Sequence, residues 1–342
     1  MARKKIVELE MIKGIAILAV IGIHITAGGI SSEDSLRTVP SLVLILNQLS
    51  RFAVPAFVFS SGAGLTFSDK NENYFSFLWR RTKKLIPLYA LWTIVCYLIF
   101  NFQTMNMVDF IISFLTGGAF YHLYYVPLIL TFYILYPIFK VVSKHSLLVS
   151  LMLFVTIITQ LLDEIFGVEI LNHAVIFLNW AFYFVIGIWF ANNLDKVFPW
   201  VKKKKKFIIL GSLLISFLLI VEVYFYNLYN FNLGDSTTSM RPSIIIYSFS
   251  VIFSLMSINW RELKIVKVIE YFSRKSYGIY LSHALILFIF ERIIIRFGLP
   301  LSSPLYLIIS FLIVLSASII VSNILDFFVK KFNSIVFKQI SK

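Results

Sequence analysis

The chain has 342 residues, of which 59% are hydrophobic and only 14% charged, with a net charge of +14. A soluble domain carries roughly 25% charged residues, so this chain lacks the charge to cover a water-facing globule and belongs in a lipid bilayer. The positive balance does not point to nucleic acid, because most lysines and arginines flank apolar runs, where they set orientation. One cysteine, Cys96, lies inside an apolar run; an intramolecular disulfide and a cysteine-based zinc site are therefore excluded. The sequence has no Walker-type glycine loop and no N-x-S/T acceptor, and no metal site is expected.

A span needs about 20 mostly apolar residues. Such runs fall near 12–30, 40–66, 85–102, 124–140, 147–163, 174–192, 207–227, 242–258, 276–297 and 304–328. They predict an all-α, polytopic membrane protein with about ten transmembrane helices and a single membrane domain over residues 1–342. No internal repeat is evident, which weakens a transporter built from inverted repeats. The piece Met107–Leu115 is apolar but too short to cross, and is expected to be interfacial or re-entrant.

Positive charge tests that count. With a cytoplasmic N-terminus, the inner segments hold Arg3 to Lys5, Arg80, Arg81, Lys83, Lys84, Lys140, Lys144 and Lys202 to Lys206. They continue with Arg261, Lys264, Lys267, Arg274, Lys275, Lys330, Lys331, Lys338 and Lys342. Outer loops hold Arg37 and Arg241 with acidic Glu33, Asp34, Asp163, Glu164, Glu169 and Asp235. This alternation places both termini in the cytoplasm. Arg3, Lys4 and Lys5 also resemble the start of a signal peptide, but the long first run reads as a retained span. The abundance of Ile, Phe and Lys suggests an AT-rich bacterial genome, hence a bacterial cell membrane.

In the first span, Lys13 and His24 are eleven residues apart. Eleven residues are about three helical turns and about 16 Å, so the two side chains share a face, one at the membrane edge and one well inside. A histidine at that depth is a candidate functional group. With a reference pKa near about 6.5, a neutral imidazole can take a proton from an attacking hydroxyl. Glu10 and Lys13 are spaced to pair at the inner surface, so a tunnel is conceivable from an anion site there to the base. Arg51 falls about 16 Å into the second span from the outer edge, level with His24 on an antiparallel neighbour. An arginine there must face protein or an aqueous cavity. It is read either as functional or as a buried strut.

The second span ends in Phe59-Ser60-Ser61-Gly62-Ala63-Gly64. Its small residues serve either helix packing or the close approach of a ligand. Next, Arg80, Arg81, Lys83 and Lys84 form a dense cationic cluster, expected at a helix start and suited to a polyphosphate such as coenzyme A. Tyr121-His122-Leu123-Tyr124-Tyr125 opens the fourth span and also fits an interfacial aromatic belt. Lys202–Lys206 reads as an anchor to anionic headgroups. His283 lies about 10 Å inside the ninth span, with Glu291 and Arg292 deeper and given no chemical role. Asp326 is expected to cap or pair.

These residues together resemble the acyltransferase-3 family of integral-membrane acyltransferases. The likeness rests on Glu10-Met11-Ile12-Lys13-Gly14-Ile15-Ala16 followed by His24, and on Arg51-Phe52-Ala53-Val54-Pro55-Ala56-Phe57 through Ser61-Gly62. It continues with Arg80 to Pro87, His122 to Tyr125 and Ser276 to His283. Lys13 stands where the family usually has arginine, and Arg80-x-x-Lys83 and Arg81-x-x-Lys84 replace an arginine pair. Lysine keeps the charge but loses the bidentate fork.

The resemblance implies ten spans, an acyl-CoA donor used from the cytoplasm and transfer to a hydroxyl of a cell-surface or lipid-linked glycan. It also implies a stand-alone member with no appended soluble domain. The expected activity is O-acyl transfer, most simply O-acetyl transfer. His24 and Arg51 are the expected catalytic residues. Lys13, Arg80, Arg81, Lys83 and Lys84 would bind the cofactor phosphates. Glu10, His122 and His283 would serve substrate or scaffold. A polysaccharide exporter or flippase is the main alternative, its buried charges lining a path. A membrane O-acyltransferase fold of lipid metabolism is another. No H-x-x-x-x-D or G-x-S-x-G layout is present.

Overall fold

The computed structural model describes residues 6–31, 41–70, 72–101, 106–166, 176–229 and 237–340, with side chains described except at 163–166, 227–228 and 328–340. It is 85% helical, and the described residues contain no strand. The helices are α1 (Val7–Ser31), α2 (Ser41–Ser50), α3 (Ala53–Phe67), α4 (Tyr74–Phe100), α5 (Met107–Thr116), α6 (Tyr125–Val142) and α7 (Ser146–Phe166). They continue with α8 (Leu178–Asn192), α9 (Leu194–Lys203), α10 (Lys205–Leu228), α11 (Pro242–Ser257), α12 (Val266–Arg296) and α13 (Pro304–Ile340). Seven segments are long and apolar enough to cross a membrane, counting α2 and α3 as one. The other three predicted runs are occupied by the shorter apolar helices α7, α8 and α11.

The solvent of this fold is hydrocarbon. Leu213, Leu214, Phe217 and Leu218 on α10 and Ile308, Leu312 and Ile320 on α13 are exposed. In water such a contiguous apolar surface would be a liability; in lipid it has no cost. The inside is built around α1, which packs against α2, α3, α11, α12 and α13. The protein is thus an all-α, multi-pass membrane protein.

Pro55 explains the break in the second span. A helix running through this segment would require the amide of residue 55 to bond the carbonyl of Arg51, and proline has no such donor and clashes with that carbonyl. The chain turns at Arg51 and Phe52, with the Arg51 amide bonding the Gln48 carbonyl at 3.1 Å instead. Beyond the break, α3 lies against α8 with glycine on both sides. A Cβ at Gly62 would sit 2.2 Å from the Phe184 carbonyl oxygen, and one at Gly187 2.2 Å from that of Phe59. Only glycine allows that approach.

Three lysines expected on the cytoplasmic side are ion-paired. Lys202 pairs with Glu8 at 3.1 Å, Lys140 with Asp69 at 2.5 Å, and Lys275 with Asp326. Asp326 therefore pairs rather than caps. Arg3 to Lys5, Glu33, Asp34, Arg37, Glu169, Asp235 and Lys342 lie outside the described residues, as do the side chains of Asp163, Glu164, Lys330, Lys331 and Lys338. The segment 107–116 forms α5. At ten residues it is about 15 Å long, too short to span, and none of its residues is buried. Tyr97 packs on Phe110 and the Tyr89 hydroxyl donates to the Phe114 carbonyl at 2.5 Å, so α5 lies along α4.

Candidate active site

His24 on α1 faces a cavity of about 200 Å³ whose lining also includes Arg51, Val54, His122, Tyr124, Trp180 and the segment Thr238 to Met240. His24 and Arg51, expected at one depth on neighbouring helices, line the same cavity. Neither ring nitrogen of His24 meets a hydrogen-bonding partner among the described residues, and the ring is only half-buried. Its neighbours are aromatic: the Tyr121 ring at 4.9 Å and the His283 ring at 5.1 Å between centroids.

His122 and His283 complete a cluster with centroids 5.2 Å apart. His122 is buried and donates from Nε2 to the Leu281 carbonyl at 3.2 Å. It belongs to the interior rather than to an interfacial aromatic belt. His283 donates from Nδ1 to the Tyr280 carbonyl at 2.7 Å, which fixes its tautomer and leaves Nε2 as a buried acceptor without a partner among the described residues. The Tyr280 hydroxyl donates to the His122 carbonyl. Among the described residues, no group of three or more His, Cys, Asp or Glu side chains is arranged to hold a metal ion.

Arg51 is held by Asn47, whose side-chain oxygen accepts from Nε at 2.9 Å and from Nη2 at 2.6 Å. Asn47 in turn donates to Thr26 Oγ1 at 2.9 Å, two residues past His24. The network extends to Gln48, which donates to Asn47 and accepts from Arg241 Nη2 at 2.5 Å. Arg241 is only 1% exposed. Sequence reasoning placed it among loop charges and missed its burial beside Gln48; the i, i+4 spacing of Asn47 and Arg51 was the readable signal for that half of the network.

Lys13 sits at the other end of α1, paired with Glu10 at 2.7 Å. Glu10 also accepts from Ser273 Oγ at 2.6 Å, tying α1 to α12. Lys13 borders two further cavities. One of about 550 Å³ is lined by Glu10, Ser60, Gly64, Ser68 and Asp195. The other, about 220 Å³, is lined by Phe57, Ser61, Leu85, Tyr133 and Tyr277 among others. In the small-residue stretch at the end of the second span, Gly62 packs against α8, and Ser60, Ser61 and Gly64 line cavities.

The cationic cluster needs correction. It does not open a helix: α4 begins at Tyr74, capped by the Asn73 side chain accepting from the Phe75 amide at 2.9 Å. Arg80 and Arg81 lie nearly two turns further on, beyond the reach of free helix-end amides. Arg80 pairs with Glu72, and that hydrogen bond holds the Glu72 carboxyl below the usual carboxylate range. Arg81 donates to Ser68 Oγ, at the rim of the larger Lys13 cavity. Lys83 and Lys84 are exposed and line none of these cavities. Of the residues given no role, Glu291 accepts from the Tyr306 hydroxyl at 2.7 Å and Arg292 stacks over Phe288.

A family model described as an acyltransferase domain matches residues 6–323, nearly the whole chain. No curated protein and no solved structure matched it. The match settles the choice between enzyme and exporter, since the family's activity is transfer of groups other than aminoacyl groups. With a half-buried imidazole and a guanidinium lining one chamber inside its helical bundle, the chain belongs to the acyltransferase-3 family.

Proposed function

We propose that the protein is an O-acyltransferase of the bacterial plasma membrane. It moves an acyl group, most simply acetyl, from cytoplasmic acyl-CoA to a hydroxyl of a cell-surface or lipid-linked glycan. One observation carries this reading: three cavities follow one another along α1. The first and second share Lys13, and the second and third share Tyr125 and Tyr280. Together they lead from the cationic end of the bundle to His24. A long thioester arm with a polyphosphate at one end matches that layout.

In this reading the phosphates lie near Lys13 and Arg81, with Arg80 joining when it leaves Glu72. Lys83 and Lys84 add only long-range attraction. The apolar second cavity takes the arm, and the thioester carbon arrives beside His24. The acceptor hydroxyl enters from the Thr238–Met240 side of the chamber. Its oxygen attacks the thioester carbon while its proton passes to a ring nitrogen of His24. Arg51, fixed by Asn47, faces the charge that develops on the carbonyl oxygen. The carbon–sulfur bond then breaks, and the coenzyme thiolate leaves with the proton held by His24. His283 packs against the ring, with His122 packed against His283 in turn, and keeps its orientation. Glu10 holds Lys13 in place. A route through a transient acyl-histidine uses the same groups.

The test is transfer of label from acetyl-CoA to isolated surface glycan by the purified full-length protein in lipid nanodiscs. His24→Ala should abolish transfer while the thermal unfolding profile stays that of a folded protein. Undiminished transfer by folded His24→Ala would refute the assignment.

A further inference from the structure

Two of the cavities meet at only two residues. The apolar cavity of about 220 Å³ next to Lys13 and the His24 chamber of about 200 Å³ have Tyr125 and Tyr280 as their common lining. The two rings face each other with centroids 5.4 Å apart and planes inclined at 59°. That spacing is ordinary aromatic contact and leaves no open bore between them. Whatever passes from one cavity to the other must part this pair.

The two rings are held differently. The Tyr280 hydroxyl donates to the His122 carbonyl oxygen, and its ring lies 5.5 Å from that of His122, so it is fixed to the histidine cluster. Tyr125 stands on the first residue of α6, is half-buried, and touches the Phe57 ring at a centroid distance of 6.2 Å. Tyr280 is tied to the histidine cluster and Tyr125 to Ser61 by a side-chain hydrogen bond, so opening the passage from the Tyr125 side gives up that one bond.

We propose that Tyr125 and Tyr280 form a neck that the acyl group must cross before it can react, and that the width of this neck selects unbranched, slender acyl groups over branched or aromatic ones. This rests on the reading that acyl-CoA enters from the Lys13 end. An acyl group crosses the neck head first and the slender thioester arm then occupies it. The neck therefore senses the cross-section of the acyl group rather than its length. Tyr125 and Tyr280 are specificity-determining residues; the bond chemistry stays with His24.

The experiment uses inverted membrane vesicles carrying the full-length chain, prepared from cells that make the surface glycan. Acetyl-, isobutyryl- and benzoyl-CoA are supplied outside, and release of free coenzyme thiol is followed. Wild type should prefer acetyl-CoA. Tyr125→Ala should raise the benzoyl-to-acetyl and isobutyryl-to-acetyl ratios of kcat/KM by about tenfold or more, the discrimination a tight apolar fit gives for one or two carbons. Tyr125→Trp enlarges the ring and should lower both ratios, so the test does not depend on the truncated variant alone. Ratios unchanged in variants that still use acetyl-CoA would overturn the neck and leave the donor reading intact. Absence of His24-dependent thiol release from every acyl-CoA in wild type would overturn the donor reading, and the neck with it.

Discussion

Replacing Asn47 by leucine tests whether Arg51 acts through its position. The substitution keeps the branched side-chain outline and removes the one oxygen that accepts from both Nε and Nη2 of Arg51. A hydrogen bond to a charged group is worth about 1.5–3 kcal/mol. Arg51 borders the cavity, so one of the two donors can be resolvated when Asn47 is lost. The unrecovered loss is then that of one bond, about 1.5–3 kcal/mol, which corresponds to about a 10- to 150-fold fall in kcat if Arg51 stabilises the transition state. Asn47→Asp is the partner measurement. It keeps the acceptor but adds a negative charge beside the guanidinium. The fold should be preserved while kcat still falls, because the charge facing the carbonyl oxygen is neutralised. Steady-state acyl transfer at saturating donor, with thermal unfolding in the same nanodiscs, separates the two effects. A leucine variant with wild-type kcat would refute the role of Arg51.

Further outcomes follow from other contacts. Lys13→Ala should raise the KM for acyl-CoA by about tenfold, whereas Lys83→Ala combined with Lys84→Ala should change it by less than about twofold; titration of initial rates decides. Glu72→Gln frees Arg80 and should lower that KM at neutral pH. In wild type the Glu72 carboxyl is held below the usual range by Arg80. The pair's contribution is thus present above the unfolded carboxylate pKa and lost only as pH falls through the depressed folded value, so the gain from Glu72→Gln should shrink in strong acid. Gly62→Val forces a side chain into the Phe184 backbone and should cost about 1–3 kcal/mol, seen as a lower unfolding temperature with donor KM unchanged.

Local rules made much of this architecture legible. Helix pitch placed His24 and Lys13 along one helix and Arg51 on its neighbour, and His24 and Arg51 line one cavity while Lys13 lines the next. The i, i+3 pair of Glu10 and Lys13 formed as spaced. What escaped depended on distant partners. His122 reads as an interfacial residue until α12 brings His283 within 5.2 Å of it, and a contact across 161 positions has no local signature. Arg241 looks like a loop charge until Gln48 is seen opposite it. The start of α4 was misplaced because the window of hydropathy begins after the cations, whereas the helix begins at its cap, Asn73. The break at Arg51 was readable from Pro55 and was passed over because the apolar run continues through it.

That break has a mechanical consequence. A second span with an unbroken ladder would move as one rod. With the rung at Arg51 missing, it is two stiff lengths joined by a soft joint, and the guanidinium is mounted on the joint itself. The inner length is locked to α8 by interleaved glycines, so a load on α2 would bend the span at Arg51 rather than tilt it whole.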